Sequence, residues 1–255
     1  MKIVTWNLRC IWSGYDGIYS FVHRAGIIYE KILEEMPDVI AFQEVTVDSL
    51  ELMKRMLPEY VFFGSFREES FDGEGLFTAF RKKKYALMTG DVFWCSLTPY
   101  LPGSRFANQS EYPRICICTK LRDLKTHKTI RFINVHLDNE SDEARKLGLD
   151  CIFNYIATHN AADKQPTMIL GDFNAVPESE TMGAVFAKDW LVDATASIKE
   201  TTFHDFGKVD NEKIDYIFMT KDLSGNIVNV QLWKDEQNGI YLSDHYPICV
   251  ELKEN

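Results

Sequence analysis

An aspartate and an asparagine directly follow an apolar segment in the stretch Met168–Glu180, which reads MILGDFNAVPESE. Asp172 and Asn174 are two positions apart, so both side chains point the same way if the chain is extended there. Carboxylate and amide oxygens are the ligands that hard cations such as Mg²⁺ and Mn²⁺ prefer. The stretch therefore predicts a polar site at the end of a buried strand, with partner groups elsewhere in the chain.

Other strand-like segments also carry a polar residue with catalytic potential at one end. KIVTWN ends at Asn7, VIAFQE ends at Glu44, and RFINVH ends at His136. Parallel strands bring their carboxyl ends to one edge of a sheet, where ligands bind in α/β proteins. Two later strands carry such residues at their beginnings, which reach the same edge if those strands run antiparallel. Geometry therefore permits one site with the following residues: Asn7, Glu44, His136, Asp172, Asn174, Asp215, Asp244 and His245.

Taken singly, most of these residues have a simpler structural interpretation. Asn7 and Asp244 are of types that favour turns through local backbone hydrogen bonds, and a single His136 is more often structural. Glu44 is harder to explain in this way, because an unpaired carboxylate after an apolar strand is costly to bury. The recurrence of such residues at strand ends is what favours a site.

The residue types in this set favour a hard divalent cation over zinc. The sequence has no HExxH motif and no paired CxxC motifs, which are typical of zinc sites. A hard cation with two histidines and several carboxylates suits hydrolysis of a phosphate ester. The cation neutralises developing charge, a base activates water, and a donor protonates the leaving oxygen.

The hydrophobic pattern predicts the elements that position these groups. Apolar residues recur at helical spacing over Phe21–Glu35, after Thr46, from Ser141 to about Asn160, and over Ser179–Ala187. The mixture of βα units with neighbouring strands predicts mixed sheets covered by helices, with sheet packed on sheet, in a single domain over residues 1–255. The strand-like segments are KIVTWN, VIAFQE, YVFFGSF, GLFTAFR, YALMTGDVFW, RICICTKL, RFINVHL, TMIL, IDYIFM, IVNVQLW and YPICVEL.

Composition and charge narrow the class of protein. The 255 residues are 45% hydrophobic, and no run of eighteen apolar residues predicts a membrane span. The net charge of −10 argues against broad capture of duplex nucleic acid, although a bound cation would still permit a phosphate-bearing substrate. The six cysteines are expected to be reduced core thiols, with metal binding by Cys116 and Cys118 the weaker alternative. We therefore expect a cytoplasmic protein, or a secreted or periplasmic one if a leader had been removed.

Six short motifs resemble, in order, those of the endonuclease/exonuclease/phosphatase superfamily: TWNLR, FQEV, NVHL, GDFNA, IDYIF and SDHYP. They run from Asn7 to Pro247, nearly the whole chain. That superfamily includes deoxyribonuclease I, exonuclease III, neutral sphingomyelinases and inositol polyphosphate 5-phosphatases. The resemblance implies a deoxyribonuclease I-like α/β fold, a four-layer sandwich of two mixed sheets packed face to face with helices outside. It also implies a divalent metal, Mg²⁺ or Mn²⁺, and hydrolysis of a phosphodiester or phosphomonoester.

The resemblance further implies which residues hold the metal and the water. Glu44 would be the principal metal ligand, with Asn7 and Asp244 close to the ion. Asp172 would orient or deprotonate the attacking water, and Asn174 would hold a phosphate oxygen.

The same resemblance implies roles for His245 and His136. His245, oriented by Asp215, would contact the phosphate or act as the base, so the resemblance leaves open whether His245 or Asp172 takes the proton. His136 looks like the histidine that assists the leaving group in the deoxyribonuclease I and sphingomyelinase branches.

Within the superfamily, DGEGLFTAFR and VFWCSLTPYLPGS resemble a bacterial group of poorly assigned hydrolases. In that group a Trp-x-Ser-x-Thr-Pro pattern, here starting at Trp94, precedes an arginine strand, here with Arg114. Glu74 and Arg114 are expected at the edge of the site, where an arginine would clamp a phosphate. Trp94 is expected either to pack in the core or to stack on the substrate.

The substrate stays open among nucleic acid, nucleotide, sugar phosphate and lipid head group. The acidic balance and the proline-containing loop Ser96–Glu111, expected on the substrate side, favour a small or single-stranded substrate. The alternatives are a phospholipid or phosphoinositide phosphoesterase, which no amphipathic helix supports, and a non-catalytic binding module on the same fold. We expect a monomer.

Overall fold

Strands form the centre of the molecule in the computed structural model, which describes residues 1–11, 14–210 and 212–254. The helices in this part of the chain are α1 (Phe21–Glu35), α2 (Val47–Met56), α3 (Asp142–Ala162), α4 (Glu180–Phe186) and α5 (Lys221–Ser224). The strands are β1 (Lys2–Asn7), β2 (Val39–Val45), β3 (Tyr60–Phe66), β4 (Gly75–Arg81), β5 (Tyr85–Trp94), β6 (Ile115–Asp123), β7 (Thr129–His136), β8 (Thr167–Asp172), β9 (Leu191–Asp193), β10 (Asp215–Thr220), β11 (Ile227–Leu232), β12 (Glu236–Gln237), β13 (Ile240–Tyr241) and β14 (Ile248–Leu252).

The long strands form two mixed sheets of six strands each. The first has the order β11-β14-β1-β2-β4-β3 and the second the order β5-β6-β7-β8-β10-β9, while β12 and β13 pair separately. Within each large sheet one pair is parallel, β1 with β2 and β7 with β8, and the other pairs are antiparallel. The predicted pair of mixed sheets is therefore confirmed.

Three apolar cores separate four layers, because alternate residues of a strand face opposite sides of its sheet. In β1, Ile3 belongs to the core between the two sheets, whereas Val4 belongs to the core beneath α1 and α2. On the other side, α3 and α4 pack on the second sheet through residues such as Ile152 and Met182. The predicted helices on the outside of a sandwich are thus confirmed.

Strand directions bring the polar strand ends to one edge. In the parallel pair β7–β8, His136 lies opposite Asp172, and in the antiparallel pair β8–β10, Asp172 lies opposite Asp215. In the first sheet, β14 runs antiparallel to β1, so the residues before β14 lie near the end of β1. The antiparallel directions that the sequence required for Asp215, Asp244 and His245 are therefore observed.

A buried polar bridge joins the two sheets behind this edge. Gln43 on β2 donates from Nε2 to Oδ1 of Asn134 on β7, at 2.8 Å. Asn134 in turn donates from Nδ2 to the carbonyl oxygens of Phe42 at 3.0 Å and Phe77 at 3.3 Å. Because each of these groups is fully buried, the bridge fixes how the two sheets sit against each other.

The state of the cysteines and the starts of three helices agree with the predictions from the sequence. All six thiols are free; five are buried and Cys151 is half-buried, which confirms the predicted core thiols. Thr46, Ser141 and Ser179 each accept a hydrogen bond from a backbone N–H in the first turn of the helix that follows.

None of the described helices is long and apolar enough to cross a membrane.

Candidate active site

A cleft of about 790 Å³ lies at the edge where the polar strand ends meet. Two of the ten residues predicted for the site, Asn7 and Asp215, lie just behind the cleft wall and hydrogen-bond to residues that line it. The other eight line the cleft directly: Glu44, Glu74, Arg114, His136, Asp172, Asn174, Asp244 and His245.

Glu44 enters the cleft because the backbone of β2 is irregular there. Its φ of 54° is left-handed, and the pairing of β2 with β4 shifts register between Phe42 and Val45. A bulge of this kind re-aims a side chain, and a left-handed non-glycine residue is strained. Glu44 Oε1 accepts from Asn7 Nδ2 at 3.0 Å, whereas Oε2 is buried with no hydrogen-bond partner among the described residues.

Two further acceptors lie beside Glu44. Asn7 Oδ1 accepts from the backbone N–H of Arg9 at 3.0 Å. Asp244 Oδ1 accepts from the Ser243 hydroxyl at 3.1 Å, and Asp244 Oδ2 lies 3.6 Å from Nε of Arg9. Burial alone would lower the pKa of Arg9, but the charges of Glu44 and Asp244 raise it overall. The first-sheet side of the cleft is therefore strongly negative.

Asp172 is the centre of the second-sheet side. Its Oδ1 accepts from the backbone N–H of Asn174 at 2.8 Å, and its Oδ2 accepts from Asn7 Nδ2 at 3.1 Å. Nε2 of His136 lies 3.5 Å from the same Oδ2, and Nε2 of His245 lies 3.8 Å from it. Burial and the negative charge of Asp215 raise the pKa of Asp172. The carboxylate thus connects the two sheets and both histidines.

Asn174 keeps this carboxylate in place through a left-handed turn. Its φ is 49°, and its side-chain Nδ2 donates to the carbonyl oxygen of Leu137 at 3.0 Å. Phe173 between the two polar residues is fully buried in the core beneath α3 and α4. The turn therefore has an apolar anchor on one side and polar groups on the other.

His245 and Asp215 form a buried pair. Nδ1 of His245 lies 2.9 Å from Oδ2 of Asp215, and the backbone N–H of Asp215 donates to the Thr202 hydroxyl at 3.1 Å. Burial alone would lower the pKa of His245, but the charge and hydrogen bond of Asp215 raise it overall. The pairing leaves Nε2 of His245 directed towards Asp172 and the cleft.

His136 is placed in the opposite electrostatic environment. It is buried, and burial together with the positive charges of Arg114 and Arg67 holds its pKa well below the usual range. The pKa of His136 is therefore shifted in the opposite direction from that of His245.

Arg114 offers unused donors to the cleft. Its Nη2 donates to Asn139 Oδ1 at 2.7 Å, while Nε and Nη1 are buried without a hydrogen bond to any described residue. Nε also lies 3.7 Å from Oδ2 of Asp138. A buried guanidinium with two free N–H groups is suited to an anionic oxygen of a ligand.

The donor set fits a divalent cation at Glu44. A buried carboxylate oxygen without a partner is costly, and Asn7 and Asp244 add oxygen ligands of the kind that Mg²⁺ prefers. A second group of possible ligands, Asp172, Asp215 and His245, has its atoms within 4.8 Å of one another. In that group the closest atoms already bond to each other at 2.9 Å, whereas Glu44 Oε2 has no hydrogen-bond partner among the described residues.

The structure also settles two alternatives for the neighbouring segments. Trp94 packs in an apolar cluster and donates from Nε1 to the Arg67 carbonyl oxygen at 2.7 Å, so it has a core role rather than a stacking one. No residue of the loop 96–111 is among the cleft-lining residues that the structure describes. Residues from the segment 67–74, together with Tyr112, line the cleft instead.

Several lining residues were missed by sequence reasoning. Four of them lie within motifs quoted above, which was the available signal: Arg9, Asp72, Gly73 and Ile214. The others come from loops whose position depends on packing between distant segments, and nothing in their spacing points to the site: Ile11, Tyr15, Arg67, Glu68, Tyr112, Asn139, Phe203 and Glu212.

Known proteins share this architecture over their full length. An endonuclease/exonuclease/phosphatase from Bacteroides vulgatus is 27% identical with a TM-score of 0.90, covering 99% of this chain and 98% of that chain. A mannosyl-6-phosphatase of Bacteroides thetaiotaomicron is 23% identical with a TM-score of 0.88, covering 100% of both chains. D. rerio TDP2 complexed with a single-strand DNA product is 17% identical with a TM-score of 0.76, covering 98% and 97%. These similarities confirm the deoxyribonuclease I-like fold.

A sequence model of the Endonuclease/Exonuclease/phosphatase family matches residues 4–245. This range contains every residue of the candidate site, from Asn7 to His245. The protein therefore belongs to the Endonuclease/Exonuclease/phosphatase family and is a hydrolytic phosphoesterase, as its six motifs predicted.

Proposed function

We propose that the protein is a divalent-metal-dependent hydrolase that cleaves a small phosphate ester by attack of water. The observation that carries the proposal is the unpartnered buried Oε2 of Glu44, which faces the same cleft as Asp172 and the His245–Asp215 pair. One wall has a buried carboxylate oxygen that a cation would complete, and the other wall holds groups that can move a proton. Metal-assisted ester hydrolysis requires both.

Glu44 is proposed as the principal ligand of Mg²⁺ or Mn²⁺, with Asn7 and Asp244 close to the ion. A cation bound there would supply positive charge to the phosphate oxygens as negative charge develops. Asn7 also restrains Glu44 and Asp172 together, since its Nδ2 donates to both carboxylates.

Asp172 is proposed as the base that takes the proton of the attacking water. Its Oδ1 is held by the backbone N–H of Asn174, which keeps Oδ2 directed towards the cleft. His245 is bonded through Nδ1 to the Asp215 carboxylate, an arrangement that favours the imidazolium form. His245 therefore donates from Nε2 to a phosphate oxygen, and Asn174 contributes a further amide contact.

Arg114 and His136 are proposed to act on the phosphate and on the leaving oxygen. The Nε and Nη1 groups of Arg114 have no hydrogen-bond partners among the described residues, and each would donate to a non-bridging phosphate oxygen. Its charge helps to keep His136 neutral in the free protein. A bound phosphate would offset that charge and allow His136 to hold a proton for the leaving oxygen.

A small substrate is favoured by the charge of the cleft wall. The described lining residues include three arginines and no lysine against seven carboxylates, of which Glu68, Asp72 and Glu212 add to those discussed above. Extended nucleic acid is held mainly through Lys and Arg contacts to successive phosphates. The structural similarity to a mannosyl-6-phosphatase agrees with a small phosphate ester, at an identity that bears on the fold alone.

The proposal is tested by release of nitrophenol from p-nitrophenyl phosphate and bis-p-nitrophenyl phosphate in Mg²⁺ or Mn²⁺. We expect turnover that EDTA abolishes and added metal restores, and strong loss of it in Asp172→Ala and His245→Ala. Robust activity in both variants would contradict the assignment of these residues, and activity that persists in EDTA would contradict the metal requirement.

A further inference from the structure

We propose that the cleft recognises the leaving group of its substrate as a vicinal diol, bound by Arg67 and Glu74 beside the ring of Tyr112. The preferred substrate is then the phosphomonoester of a sugar-like polyol. This inference rests on the proposed function and names the substrate class for the same site.

Arg67, Glu74 and Tyr112 form one contiguous group. Nη1 of Arg67 lies 2.8 Å from Oε2 of Glu74, and the Arg67 guanidinium carbon lies 4.6 Å from the centre of the Tyr112 ring. The side chains of Arg67 and Glu74 are 10% and 20% exposed, so both are largely shielded from bulk water. All three line the cleft.

This group lies next to the reacting centre. Arg67 and Glu74 also line a small inner recess together with Glu44, Arg114 and His136. A phosphate held by Arg114 beside Glu44 would therefore place its leaving group against Arg67 and Glu74. His136, the proposed donor to the leaving oxygen, lines both the recess and the main cleft.

The connection between β3 and β4 closes without the Arg67–Glu74 ion pair. The backbone N–H of Arg67 already donates to the Glu74 carbonyl oxygen at 3.0 Å, and Phe66 pairs with Gly75 where β3 and β4 begin to run together. The two side chains are nevertheless directed into the cleft. A role in binding a ligand accounts for that placement better than a role in the hairpin.

A carboxylate beside a guanidinium matches the hydrogen-bonding needs of two adjacent hydroxyls. Each hydroxyl donates to the carboxylate, which only accepts, and accepts from the guanidinium, which only donates. The Tyr112 side of the group adds an apolar surface for the C–H groups of a sugar-like ring. Arg67 is paired with both Glu74 and Glu68, so two carboxylates face one guanidinium, and a neutral polyol fits this group better than a second phosphate.

The test compares two esters with the same charge and carbon number: mannose 6-phosphate and n-hexyl phosphate, which lacks the hydroxyls. For the wild type we expect kcat/KM to favour the sugar phosphate by about 100-fold. When n-hexyl phosphate is bound, the polar groups of Arg67 and Glu74 would have no hydroxyls to bind. Glu74→Gln and Arg67→Lys should reduce that ratio by about tenfold or more.

Glu69→Gln is the matched control, because Glu69 is exposed in the same loop and does not line the cleft. It should keep the wild-type ratio. Equal wild-type activity on both esters, or equal losses on both in Glu74→Gln, would overturn the diol subsite while leaving the proposed function intact. Absence of turnover with every ester in the presence of metal would overturn the proposed function and this inference with it.

Discussion

The two walls of the cleft differ in how completely their polar groups are satisfied. On the first-sheet wall, Glu44 has a strained backbone and a buried oxygen without a partner among the described residues. On the second-sheet wall, both oxygens of Asp172 accept hydrogen bonds and His245 is paired with Asp215. We infer from this difference that the first-sheet wall binds a cation, whereas the second-sheet wall is preorganised for proton transfer.

The largest effect is expected on the second-sheet wall, from Asp172→Asn. The change removes the proposed base while preserving the shape and the acceptor for Asn174. We expect kcat to fall by about 10⁴-fold, at the upper end of what one acid–base group contributes. Steady-state kinetics with p-nitrophenyl phosphate measures this, and Asp222→Asn, at an exposed position in α5, should behave as wild type. A fall of less than tenfold would mean that Asp172 is not the base.

The next effect is expected on the first-sheet wall, from Glu44→Gln. Activity should fall by about 10²–10³-fold, because charge stabilisation at the reacting phosphate is lost. In metal-free buffer the same change should raise the melting temperature, because the amide is neutral and no negative charge is then held on a buried atom without a partner. Glu30→Gln on the exposed side of α1 is the matched control for both measurements. A lowered melting temperature in metal-free buffer would contradict the idea that this wall is incomplete.

A smaller effect on activity is expected from Asp215→Asn, which acts through His245. We expect about a 10²-fold loss of kcat, because the imidazole loses the charge that orients it. The double variant Asp215→Asn/His245→Gln should be no worse than His245→Gln alone, since residues that act as one unit are not additive. Additive losses in that double-mutant cycle would show that Asp215 does not act through His245.

The smallest effect is expected from the bridge that holds the walls together. Asn134→Leu leaves the carbonyl oxygens of Phe42 and Phe77 without their donor, and we expect the free energy of unfolding to fall by about 2 kcal/mol in a urea titration. Thr119→Val is the matched control, because the buried Thr119 hydroxyl has no hydrogen-bond partner among the described residues. It should be neutral or stabilising. If Asn134→Leu were neutral too, the bridge would not set the relation between the sheets.

Most of the framework was predictable from the sequence because it depends on local patterns. The helix over Phe21–Glu35 and the long strands follow from the spacing of their apolar residues. The meeting of Glu44, Asp172 and His245 was predictable because each lies at a strand end and the strand directions were constrained. The sequence left both Asp172 and His245 open as the proton acceptor, and our proposal of Asp172 depends on the contact between His245 and Asp215 at 2.9 Å.

Loop contributions were not predictable in the same way. Arg67 and Tyr112 are distant in sequence and meet only because loops from different strands pack together at the cleft. The left-handed backbone of Glu44 also has no signature in the VIAFQEV segment, whose apolar run predicts a regular buried strand. The loop 96–111 contributes no described residue to the cleft lining, and its proline content predicted irregular structure without predicting which residues it contacts.

The division between the two walls is tested most directly by calorimetric titration of Mn²⁺ into the wild type, Glu44→Gln and Asp215→Asn. Binding should be lost in Glu44→Gln and retained in Asp215→Asn, because the cation is assigned to the first-sheet wall. Binding that persists in Glu44→Gln and disappears in Asp215→Asn would place the cation among Asp172, Asp215 and His245 instead, and would contradict the account.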